Sequence, residues 1–144
     1  MNDDSYYMGE ALKEARKAAQ EDEIPVGAVV VCQGIIVGRG HNQTERLNDV
    51  TAHAEILALS SATQTLGGKY LTDCTMYVTV EPCVMCAGAL AWAPLSRLVY
   101  GAPDPNRGYA RCTPTLLHPK TIVESGVRAD ECSQLVLNFF AKKR

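Results

Sequence analysis

No stretch of this chain is long and apolar enough to span a bilayer. Its longest apolar run, residues 25–32, falls far short of the roughly 20 residues a spanning helix needs. The opening Met1-Asn2-Asp3-Asp4-Ser5 has no basic segment followed by an apolar one, so no secretory signal is read there. Repeats, low-complexity tracts and interdomain linkers are also missing. Charge of either sign is scarce in excess: the formal net charge is -2, which excludes a global field drawing the chain to nucleic acid. A local basic patch stays open, and Lys142-Lys143-Arg144 is one candidate. The same cluster suits a last helical turn facing its own dipole. What is there is ordinary for a soluble globular domain, with 47% hydrophobic and 21% charged residues. The expectation is one cytoplasmic domain over residues 1–144, large enough to bury a core without staples.

In a reducing compartment, six cysteines are thiols or metal ligands rather than disulfides. Only Cys83 and Cys86 have ligand spacing. Cys32 and Cys132 sit in apolar patterns and read as core, while Cys74 and Cys112 receive no assignment.

The pattern along the chain alternates. Met8, Ala11, Leu12, Ala15, Ala18 and Ala19 recur at helical spacing, with Glu10, Lys13, Glu14 and Lys17 between them, which predicts an amphipathic helix. A β-branched run over 26–32, a Gln33-Gly34 turn and Ile35-Ile36-Val37 predict a hairpin. A helix is expected over 54–61, with Gly67-Gly68 breaking it, and a strand over 75–80. Pro82 should open the next helix, since proline suits the first helical position. Gly88 in that helix should let a neighbouring backbone approach. Leu98-Val99-Tyr100 should form a strand closed by Gly101. Residues 102–120 hold four prolines and read as a long loop with at most one helical turn. Residues 121–123 offer a fifth strand, and Cys132, Leu135, Val136, Phe139 and Phe140 form the apolar face of a last helix. Together these predict an α/β fold: three α-β-α layers with a mixed five-stranded sheet.

Two short runs carry chemistry. Cys83 and Cys86, at i and i+3 on a first helical turn, are neighbours able to grip one ion. A helix N-terminus also lowers a thiol's pKa, so both are expected as thiolates. His53 lies just before another predicted helix and supplies a third ligand. Three strong ligands with no obvious fourth point to catalytic zinc, because structural zinc is usually closed by four. Glu55, two residues past His53, is placed to move a proton beside the metal rather than bind it.

The runs Thr51-Ala52-His53-Ala54-Glu55 and Val80-Glu81-Pro82-Cys83-Val84-Met85-Cys86-Ala87-Gly88-Ala89 resemble the cytidine/deoxycytidylate deaminase superfamily. Within it, the chain is most similar to bacterial tRNA-specific adenosine deaminases. That likeness extends over nearly the whole chain, including residues 24–28, Gly101-Ala102, Asp104, His118-Pro119, residues 129–132 and Phe139-Phe140. It implies one Zn2+ per chain on His53, Cys83 and Cys86. It implies Glu55 as the acid–base group in the deamination of adenosine to inosine, attacked at carbon 6. The substrate would be the wobble position of a tRNA anticodon stem-loop, and the enzyme a homodimer. Asn42 would orient the base; its plainer reading is a turn residue. Asp104 would accept a hydrogen bond from a ribose 2′-hydroxyl, telling RNA from DNA; its plainer reading is the start of an Asp-Pro-Asn turn.

The chain departs from the pattern at Val50, where proline is usual, and over residues 105–111, whose RNA contacts are not carried over. Two rivals remain. One is a free nucleobase deaminase acting on guanine or cytosine, opposed by the tail and by Arg107 and Arg111. The other is a non-catalytic RNA-binding subunit, opposed by the presence of Glu55.

Overall fold

The computed structural model describes residues 2–112 and 116–143. Residues 113–115 of the proline-rich loop and Arg144 of the basic run lie outside the described residues. The order is α1 (Asp4–Gln20), β1 (Gly27–Cys32), β2 (Ile35–His41), α2 (Ala54–Leu66), β3 (Cys74–Val80), α3 (Val84–Trp92), β4 (Arg97–Ala102), β5 (Ile122–Ser125) and α4 (Ala129–Lys142). A single 3-10 turn, Tyr109–Arg111, interrupts the long loop.

The sheet runs β2-β1-β3-β4-β5. β1 is antiparallel to both β2 and β3, while β3, β4 and β5 are parallel. The start of β1 and the ends of β2, β3 and β4 therefore share one rim. Strand alternation divides the core between two faces. Ala28, Val30, Met76, Val78 and Leu98 pack under α2 and α3. Val29, Val31, Tyr77 and Val99 pack under α1 and the start of α4. This is the expected three-layer α/β arrangement.

The helices differ in how they dock. The buried stripe of α2 is Ala54, Ala58 and Ala62. It lies on Gly38 and Gly40 of β2, where a Cβ would come within 2.6 Å of the Ala58 carbonyl and 2.5 Å of the Ala54 carbonyl. Small residues on both sides bring helix and strand into backbone contact. On α1, Glu10 and Glu14 are buried although the periodicity put them on the polar side. Arg39 on β2 explains this: its guanidinium reaches Glu10 at 2.6 Å and Glu14 at 3.3 Å.

Several expectations need correction. α2 runs one turn beyond 61, to Leu66, and ends where Gly67 adopts φ 73°. Gly101 lies inside β4 rather than closing it. Pro82 is not the first helical residue. Cys83 is the N-cap of α3, with extended backbone, and the Pro82 carbonyl accepts the Tyr109 N–H at 2.9 Å instead of serving the helix. Outside its own helix turn, no described atom lies within 4 Å of a Cβ placed on Gly88, so no other described segment packs on that small site. In α4 only Cys132 is buried; Phe140 stays 42% exposed. The second half of α4 instead walls a groove of about 640 Å³ with Ile24, Val80 and Pro103. Cys32 is half-buried rather than fully in the core. Among the described residues no helix is long and apolar enough to cross a membrane.

Candidate metal centre

His53 and Cys83 are both N-caps, of α2 and α3 respectively. Each sits at the shared rim, so two helix N-termini converge on one point. The His53 Nδ1 atom is 3.6 Å from Cys83 Sγ and 3.5 Å from Cys86 Sγ. All three ligand atoms lie within 4.8 Å of one another. Tetrahedral zinc, with Zn–N of about 2.0 Å and Zn–S of about 2.3 Å, needs N and S roughly 3.6 Å apart. The donor set therefore fits zinc in chemistry and in spacing. It offers three protein atoms, the count that leaves a coordination position open.

Charge in this cluster is unevenly shared. The Cys83 thiol is pulled down to about 4, first by the Cys86 side chain and then by His53. Cys86 moves up, chiefly because it donates to Cys83. Both were expected as thiolates; without metal, the shifts favour the thiolate at Cys83 and a retained proton on Cys86. Metal binding requires both deprotonated and so releases that proton. His53 is raised by its neighbour Cys83. Glu55 is 4% exposed, and burial pushes its carboxyl up to about 7. A carboxyl in that range can both hold and give up a proton near neutrality.

Asn42 and Asp104 have structural tasks that the sequence did not reveal. The Asn42 Oδ1 accepts the Ala54 N–H at 2.8 Å. It thus caps α2 from the end of β2, a duty the N-cap His53 side chain does not perform. The Asp104 Oδ1 accepts the Asn106 and Arg107 N–H groups, each at 3.0 Å, which is the Asp-Pro-Asn turn geometry. The structure joins His53, Cys83 and Cys86 directly, and Asn42 through the helix that carries Glu55. Asp104 belongs to the neighbouring loop.

Two buried carboxylates at the rim were missed. Glu23, 1% exposed, accepts the N–H groups of Glu45 at 3.1 Å and Arg46 at 2.8 Å. Glu81, 7% exposed, accepts those of Asp104 and Ala110, both at 3.0 Å. Apart from the Thr44 hydroxyl, which donates to Glu23 at 3.4 Å, their partners are backbone amides on distant segments, which leave no side-chain signature. The only available signal was a glutamate with a proline one or two residues after it, Glu23-Ile24-Pro25 and Glu81-Pro82.

Similarity to known proteins agrees with this geometry. A tRNA-specific adenosine deaminase of Agrobacterium fabrum is 41% identical over 150 residues, spanning all of this chain and 98% of that protein. A solved structure from a study of A-to-I editing by tRNA:A34 deaminases superposes with TM-score 0.85 at 43% identity, covering 90% of this chain and 98% of the other. The guanine deaminase of Nitrosomonas europaea superposes almost as well, with TM-score 0.84, but at 26% identity over 98% of this chain and 86% of the other. Residues 1–102 match the cytidine and deoxycytidylate deaminase zinc-binding region, and that span holds His53, Glu55, Cys83 and Cys86. A match over well over half the sequence, on the segment that builds the N/S/S cluster, makes this chain a member of the cytidine and deoxycytidylate deaminase family.

Proposed function

We propose that the chain is a zinc-dependent hydrolytic deaminase converting adenosine to inosine at the wobble position of a tRNA anticodon, working in the cytoplasm as a single domain of residues 1–144. The observation that carries the chemistry is Glu55, a buried carboxyl beside a three-atom His/Cys/Cys set. His53, Cys83 and Cys86 hold one zinc per chain. Bound zinc supplies the Lewis acidity that makes water a competent nucleophile at neutral pH. Glu55 would take one proton from the attacking water and give it to the purine ring nitrogen, then take the proton of the new carbon-6 hydroxyl and pass it to the amino group, which leaves as ammonia. Asn42 orients the base with its amide while its Oδ1 keeps α2 in place. The preference for RNA over a free base rests on the 40% level of identity to tRNA-specific relatives along the whole chain. A loop base suits such a site, because it is already partly unstacked and costs little to extrude.

A homodimer completes this reading. Val84, Met85 and Trp92 of α3 are 48%, 39% and 84% exposed, and they flank the unused small site at Gly88. A contiguous apolar face of this kind marks an interface, and a second copy of the chain covers it.

The shared fold with a guanine deaminase supports a second reading, a free nucleobase deaminase. One assay separates the two. Adenosine-containing anticodon stem-loop, free guanine and free cytosine are offered in parallel. Inosine formed in the stem-loop, with both free bases untouched, is the expected result. Turnover of a free base without turnover of the stem-loop would replace the first reading by the second.

A further inference from the structure

We propose that Glu81 is a positioning residue. Its buried carboxylate fixes the loop over residues 104–110 against the strand-to-helix junction that carries Cys83, and thereby sets substrate binding rather than the chemical step. This rests on the function proposed above and names a residue that governs its specificity.

The geometry is compact. Glu81 follows β3, and its own N–H donates to the Ala102 carbonyl at 2.9 Å, continuing the β3–β4 pairing. Its two carboxylate oxygens then divide between the two ends of one loop. Oε1 accepts from Asp104 N–H and Oε2 from Ala110 N–H, each at 3.0 Å. The intervening chain folds over the carboxylate. Gly108 N–H donates to the Asp104 carbonyl at 2.9 Å, and Gly108 pairs with Cys83 in an isolated antiparallel bridge. A Cβ on Gly108 would run into the Glu81 carboxylate itself and into the Asp104 carbonyl. Tyr109 N–H closes the contact on the Pro82 carbonyl at 2.9 Å.

Among the described residues, Glu81 pairs with no cation; its recorded side-chain partners are these amides. A buried carboxylate is costly unless its oxygens are hydrogen-bonded, and N–H bonds to an ionised acceptor are about twice as strong as neutral ones. The arrangement is therefore rigid in one sense: the charge is satisfied only when both loop ends are home. The same loop presents Asn106 and Arg107, both of which line the groove walled by α4, and through the Gly108–Cys83 bridge it also borders the metal centre, while the Arg111 guanidinium bonds the Asn106 carbonyl. Glu81 touches neither the His/Cys/Cys cluster nor the groove. It acts on substrate through the loop it holds.

Glu81→Gln is the informative variant. The side chain keeps its shape but offers one amide N–H₂ where a second acceptor was needed, so one loop end loses its anchor. Three measurements on the full-length chain belong together. Zinc per chain stays at one. Hydrogen exchange of the Asp104 and Ala110 amides speeds up at least about tenfold, the scale of one charge-assisted bond. KM for the anticodon stem-loop rises about tenfold while kcat changes much less. Gly108→Ala leaves Glu81 intact and pushes the loop off it from the other side, so it should reproduce the same KM-against-kcat split even if Glu81→Gln folds poorly. Loss of zinc in Glu81→Gln would show that the residue serves the metal frame, and faster amide exchange with unchanged KM would show that fixing the loop has no bearing on substrate. Either overturns the proposal. If the wild-type chain leaves the stem-loop untouched, the functional reading fails instead, and amide exchange at 104 and 110 still decides whether Glu81 holds the loop.

Discussion

At the scale of single residues, the proposed function divides the metal centre into groups that would hold zinc and a group that would move protons. Cys86→Ala removes one of three ligand atoms and should lose zinc and turnover together. Glu55→Ala should keep zinc and fold but lose turnover by about 10²–10⁴-fold or more, the range typical of a general acid–base group. Metal analysis beside a single-turnover assay checks both, and a zinc-free Glu55→Ala protein would make Glu55 structural. Asp104 needs a finer test, because its Oδ1 already holds the 104–107 turn. Asp104→Asn preserves that acceptor and removes only the charge. If the carboxylate reads a ribose 2′-hydroxyl, activity on a DNA version of the stem-loop should rise relative to RNA. An unchanged ratio would leave Asp104 with the turn alone.

At the scale of elements, much was legible in advance and the reasons are specific. The β-branched run of β1, the His53-x-Glu55 spacing and the Cys83/Cys86 pair are local patterns, and local patterns survive folding. What escaped was every contact made to a backbone amide far away in the chain: Asn42 to Ala54, Glu23 to residues 45 and 46, Glu81 to residues 104 and 110. Pro82 was misplaced for the same reason, since its carbonyl is claimed by Tyr109. The tie between α1 and the middle of the sheet is another such contact. The Asp4 carboxylate accepts the Tyr77 hydroxyl at 2.6 Å and the Arg97 guanidinium at 2.9 and 3.1 Å. Arg97 first, and Tyr77 after it, hold the Asp4 carboxyl below its ordinary value of 3.8. A lowered folded pKa means stability that is present above the unfolded value and lost as pH falls through the folded one. Asp4→Asn should therefore cost about 1 kcal/mol at pH 7, discounted for partial exposure. The difference from wild type should shrink below about pH 4, where the unfolded carboxyl takes up its proton. Urea denaturation at pH 7 and pH 3 checks this, and an equal gap at both would remove the ion pair from the account.

At the scale of the whole molecule, the single tryptophan is a natural reporter. Trp92 is 84% exposed on the face of α3 assigned to a second copy. Its emission should shift to the blue as the chain is concentrated through its dimerisation range, in step with the mass seen by sedimentation. Trp92→Arg should stay monomeric, and a wild-type chain that sediments as a monomer at high concentration would end the homodimer reading. The layering has one more consequence. His53, Glu55, Cys83 and Cys86 all come from the unbroken stretch from the start of α2 to the first turn of α3, on one face of the sheet, whereas α1 and α4 close the other. Nearby segments find each other sooner than the two ends of a chain do. The order of assembly is thereby built into the sequence: a refolding chain can take up its ion while the opposite face is still open. Pulse-labelled exchange during refolding with zinc should find α2 and α3 protected before α4, which joins α1 late and from the far end of the polypeptide.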